Sequence, residues 1–85
     1  MGGMTMKQFK QFNLEEYIAN PSLKVVMSNR MAVRIICTDK KGKYPVVAIT
    51  KNNKGEEEVF DCMEDGTYRE GRISIRDLYF AFENK

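Results

Sequence analysis

The chain has no histidine and no tryptophan, and only two cysteines and two prolines among its 85 residues. Each shortage excludes something. Without histidine, the commonest general base, triad partner and transition-metal ligand is missing. Cys37 and Cys62 are too few for a disulfide framework, and neither has a CxxC neighbour that would mark zinc. No stretch approaches 18 consecutive apolar residues, so no membrane-spanning helix is expected. The opening residues, Met1-Gly2-Gly3-Met4-Thr5-Met6, lack the apolar run of a secretory signal. Met6 also stands where a myristoylation pattern needs Ser or Thr. Asn20-Pro21-Ser22 is barred from N-glycosylation by its proline. A formal net charge of +2 is too small a bias to name a partner, since strong nucleic-acid binders carry more or gather it in a block. These shortages predict a reducing, cytoplasmic setting, no cofactor, no metal, no membrane association and no enzymatic activity.

What is present is the material of one small globular domain: 42% hydrophobic and 31% charged residues. Residues 1–8 read as a flexible leader and 9–85 as the domain. Runs rich in Val and Ile at Ala32–Cys37, 45–50 and 57–63 read as strands. Lys40-Lys41-Gly42-Lys43 and Asn52-Asn53-Lys54-Gly55 supply the turns between them. A further strand at 23–27 precedes them through the turn Ser28-Asn29-Arg30, where Asn29 tolerates positive φ. Asn13 followed by Leu14-Glu15-Glu16 reads as the capped start of a short helix, which Asn20-Pro21 ends. At that length it needs Leu14, Tyr17 and Ile18 packed on the sheet. Residues 77–82 read as a final strand because Tyr and Phe suit one, although Ser74-Ile75-Arg76-Asp77 has the form of a capping box. The expected fold is α+β and mainly β: an antiparallel β-meander of four to five strands, strongly twisted or barrel-like, with a short N-terminal helix.

Centring the turns sets an expected register. It places Ile35 opposite Val47 and Val47 opposite Phe60, with Cys37 and Cys62 both opposite Pro45. Opposed residues share a face, so Val33, Ile35, Cys37, Val47, Ile49, Phe60 and Cys62 are the expected core. Arg34, Ile36, Val46, Ala48, Val59 and Asp61 fall on the other face, whose apolar members also want cover. Two strands apart, the cysteines lie beyond the roughly 7 Å a disulfide allows, and both are expected to be buried thiols. The first hairpin stays open between two registers: Val33 faces Val26 across a two-residue turn, or Val25 across a three-residue one.

Few residues point to chemistry. Gly42-Lys43-Tyr44 lacks the other elements of a P-loop, and Asp61, Glu64 and Asp65 lack EF-hand spacing. Glu56-Glu57-Glu58 reads as protection of a hairpin mouth against edge pairing. Lys40, Lys41 and Lys43 beside Tyr44 resemble a small phosphate-and-stacking site for single-stranded nucleic acid. The rival reading makes them solvated turn residues, with Glu64 and Asp65 of the neighbouring turn cancelling their field. The leading expectation is a non-enzymatic protein-interaction module. The alternative is a single-stranded nucleic-acid-binding β-domain using Lys40, Lys41, Lys43 and Tyr44.

Several stretches carry a resemblance. These are Asn13–Ser22 with its leucine–acidic helix, Lys24-Val25-Val26, and Arg34-Ile35-Ile36-Cys37-Thr38-Asp39. Tyr44-Pro45-Val46-Val47-Ala48, Asp65-Gly66-Thr67-Tyr68 and Asp77-Leu78-Tyr79-Phe80 come after them in order. Together they are similar to a group of small proteins from gut bacteria and their phages. The chain departs from that group at Ser28-Asn29-Arg30, where the usual turn carries Asp-Gly. The resemblance implies a stand-alone small domain of prokaryotic or prophage origin, and it brings no activity with it.

Overall fold

The computed structural model describes residues 6–84. Its elements are β1 (Met6–Gln11), α1 (Leu14–Ala19), β2 (Lys24–Met27), β3 (Ala32–Cys37), β4 (Val46–Lys51), β5 (Glu57–Cys62) and β6 (Leu78–Asn84). All strand pairings are antiparallel, in the order β1-β6-β2-β3-β4-β5. Four of the strands, β2 to β5, form the expected meander. The mainly-β class holds, but there are six strands rather than four or five, and the sheet is not closed into a barrel. The last strand returns to the far side of β2, and β1 adds outside it. Of the leader expected at 1–8, residues 1–5 lie outside the described residues, whereas Met6, Lys7 and Gln8 belong to β1. The capping-box residues of 74–77 make half of such a box: the Asp77 carboxylate accepts from the Ser74 N–H at 3.1 Å, but Ser74 Oγ accepts from the Arg76 N–H at 3.1 Å and not from that of Asp77. The chain nevertheless continues from them into β6, the expected strand.

The sheet bends at β3. Its first residues pair with β2 and its later ones with β4, so the two arms close on one core. Phe12, Val25, Met27, Leu78 and Phe80 enter it from one arm, and Val46, Ala48, Phe60 and Cys62 from the other. Phe12 packs its ring against Phe80 at 5.1 Å and Tyr17 at 5.9 Å. Asn13 caps α1 by accepting from the Glu16 N–H at 3.0 Å. The helix lays Leu14 and Tyr17 on the core but leaves Ile18 exposed, contrary to expectation.

The register corrects the expected core by one residue. Ile35 pairs with Ala48 and Ala48 with Phe60, while Val46 pairs with Cys62. A slip of one exchanges the faces of a strand: Val46, Ala48 and Thr50 are buried, and Val47 and Ile49 only half-buried. A β-bulge between Ile35 and Cys37 absorbs the mismatch with β3. Thr50, the polar member of the inner row, is satisfied by donating from Oγ1 to the Ala32 carbonyl at 3.0 Å. In the first hairpin Val25 pairs with Val33, the longer-turn register. Its positive φ falls on Arg30, at +73°, and not on Asn29. Asn29 instead accepts from the Met31 N–H with its side chain, at 3.0 Å.

Candidate functional site

The turn that carries Lys40, Lys41, Lys43 and Tyr44 packs against the connection between β5 and β6. Lys40 reaches Asp61 on β5 at 3.2 Å, and Lys43 is paired with Glu70. Lys41 is exposed and makes no ion pair among the described residues. The neutralising acids are therefore Asp61 and Glu70, not the expected Glu64 and Asp65. Those two lie beside the start of α1, where the Leu14 N–H donates to the Glu64 carbonyl at 2.9 Å. Tyr44 is half-buried, and Arg69 lies between it and Tyr68, with its guanidinium carbon 4.6 Å and 4.0 Å from the two ring centres. The same guanidinium donates to the Asp61 carboxylate at 3.1 Å and carbonyl at 3.2 Å.

Asp61 thus holds two cations. Burial pushes its carboxyl upward, but the bonds from Lys40 and Arg69 outweigh burial and the carboxyl sits below its ordinary value. The arrangement ties β5 to the loop that precedes β6. One face of the Tyr44 ring, on which a base would stack, is occupied by Arg69. Tyr68 closes the Asp65-Gly66-Thr67-Tyr68 stretch and Arg69 follows it, but nothing in the sequence joins them to Tyr44 and Asp61, because that contact is one only the folded chain makes.

A second surface lies on the outer face of the β3–β5 arm. Val59 pairs with Ile49, and Ile49 with Arg34. Ile36, the extra residue of the bulge, stands near Val47. Val59 is 62% exposed and Ile36 54%. No helix among the described residues covers this face, and its rim holds the Arg34–Glu57 ion pair at 3.6 Å.

The third feature is a groove of about 510 Å³ on the outer face of the other arm, lined by Phe9, Leu23, Val26 and Ala81 with Lys24 and Arg30 at its rim. The groove involves β1, half of which the sequence pattern marks as leader, so the groove is invisible from sequence.

Neither cysteine is bonded. Cys62 is buried, and burial, aided by the carboxylates of Asp77 and Asp61, pushes its thiol up to about 12. Cys37 is only half-buried, contrary to expectation, and its thiol donates to Asp39 at 3.1 Å. Among the described residues no three His, Cys, Asp or Glu side chains gather in a way that could hold a metal, and no helix is long and apolar enough to cross a membrane. No protein-family model, curated protein or solved structure matches the chain.

Proposed function

We propose that the protein is a non-enzymatic protein-interaction module, of prokaryotic or prophage origin, and that it docks a partner on the outer face of β3–β5. The observation that carries this reading is the exposure of Val59 and Ile36 on a sheet face that no helix among the described residues covers; its middle is Val47 and Ile49, and Lys40, Asp61 and Arg69 border it beside Val47. Apolar residues scattered singly need no explanation, but a contiguous set on one face is the usual mark of an interaction surface. The Arg34–Glu57 pair at the rim offers polar contacts around that apolar centre, as interface rims do.

The test is recovery of a partner from the native host, followed by the double variant Ile36→Lys and Val59→Lys. Both side chains face solvent, so melting temperature should hold while capture is lost. Equal capture by parent and variant would sink the reading, as would the recovery of no partner at all.

The single-stranded nucleic-acid reading through Lys40, Lys41, Lys43 and Tyr44 is the weaker one. Two of its three lysines are already paired with carboxylates, and its aromatic ring carries a guanidinium. Its support would be oligonucleotide binding that weakens steeply with salt and disappears in Tyr44→Ala.

A further inference from the structure

We propose that the groove above β1, β6 and β2 binds a small amphipathic carboxylate, a fatty-acid-like molecule whose chain lies on Leu23, Val26 and Ala81 and whose head is held by Lys24 and by Arg30, itself stacked on Phe9. This site is separate from the docking face of β3–β5.

Pairing defines the floor. Phe9, Ala81 and Lys24 form one cross-strand row, and Val26 lies two residues along β2 from Lys24. Val26 is buried, yet it stands apart from the core cluster to which its neighbours Val25 and Met27 belong. Phe9, Val26 and Ala81 thus form an apolar floor on the sheet face opposite Val25 and Phe80, and Leu23 and Phe82, which pack against the core, also line the groove. The volume, about 510 Å³, falls in the range of small-molecule sites.

Charge selects the head group. The described side chains lining the groove include two cations and no acid. Arg30 is exposed, and its guanidinium carbon lies 4.0 Å from the centre of the Phe9 ring. That stacking uses the plane of the group, and among the described residues its N–H edge makes no hydrogen bond or ion pair, the geometry that suits a carboxylate. Arg30 also holds φ at +73°, a conformation that costs a non-glycine residue free energy, and backbone outliers of this kind gather at ligand sites.

Pairing also argues for a small molecule over a peptide. β6 is bonded on both sides, to β1 and β2, and β2 is bonded to β6 and β3. Over β6 and β2 the floor therefore offers no free ladder, and a peptide backbone lying there would bury its own N–H and C=O groups unpaired; the one ladder left open beside the groove is the outer edge of β1. A fatty carboxylate has one polar end, and the described lining of the groove offers Lys24 and Arg30 to receive it.

The probe is dodecanoate below its micelle concentration, followed by amide NMR shifts, with dodecyltrimethylammonium as the matched cation. Saturable shifts centred on Phe9, Val26 and Ala81 are expected with dodecanoate and not with the cation. Arg30→Gly should fold at least as well, since glycine adopts positive φ freely, and should weaken binding about tenfold or more. Ala81→Leu should fill the groove and abolish the shifts while Arg30 stays in place. Absence of saturable shifts overturns the proposal. Equal binding of the cation, or undiminished binding by Arg30→Gly, overturns it too, because either would make the groove an apolar surface without a carboxylate site.

Discussion

At the scale of single residues, Gly66 is the most constrained position. Its φ is +86°, and a Cβ there would lie 2.7 Å from Phe12 Cβ and 2.9 Å from the Leu78 carbonyl oxygen. Its own carbonyl accepts from the Leu78 N–H at 2.8 Å, which ties the turn to the start of β6. Gly66→Ala combines backbone strain with an overpacked contact against main chain, and should cost about 2–4 kcal/mol in urea unfolding. A loss below about 1 kcal/mol would show that the turn relaxes. Gly55, also at positive φ, has open space around it, so Gly55→Ala bears the strain alone and should cost less. The cysteines separate in the same way. Thiolate is the reactive form, and Cys62 is both buried and held neutral. A thiol reagent under native conditions should modify Cys37 well ahead of Cys62, and mass spectrometry of timed aliquots gives the order. Equal rates would mean that the inner end of β5 opens freely.

At the scale of elements, the test is which face of β4 points inward. Val46→Thr and Val47→Thr are the same near-isosteric change at adjacent positions. The first puts a hydroxyl among Cys62 and its buried neighbours and should cost about 1–3 kcal/mol if unpartnered. The second lies on the half-buried outer row and should cost less than about 1 kcal/mol. Reversal of that order would restore the register read from the sequence. The sequence could not choose between them, because Val46-Val47-Ala48-Ile49 is apolar at every position and has no alternation to read. Where alternation exists, as at Phe60 and Cys62 in β5, the inward face was legible. β1 was missed for the opposite reason. Lys7, Gln8, Lys10 and Gln11 give it little apolar content, and it is held by β6 some 70 residues away, a pairing that local pattern does not report. The groove went unseen with it. The basic turn was legible as a set of residues, but its partners Asp61, Glu70 and Arg69 were not, since they come from other segments.

At the scale of the whole molecule, charge fastens the β3–β4 turn and the β5–β6 connection to β5 while Cys62 is a buried neutral thiol, so stability depends on pH at both ends of the range. Asp61 receives Lys40 and Arg69, so its folded carboxyl lies below the ordinary value of 3.8. The unfolded chain then takes up the proton first. This contribution is complete above pH 3.8 and is lost as pH falls toward the lower folded value. Asp61→Asn should flatten the acid limb relative to the parent. Cys62 acts in the opposite direction. Its thiol titrates near 12 when folded against 9.0 ordinarily, so the unfolded chain releases the proton first. Stability from the neutral buried thiol is complete below pH 9 and declines above it, by up to about 1.4 kcal/mol per pH unit for one proton. Urea midpoints measured from about pH 3 to 11 should therefore show a plateau with a falling limb on each side. Cys62→Ala lowers the whole curve by leaving a small cavity beside Val46, yet its alkaline limb should be shallower than the parent's. If the two alkaline limbs run parallel, the lost stability belongs to deprotonating lysines and tyrosines. Burial of Cys62 would then have to be incomplete in solution.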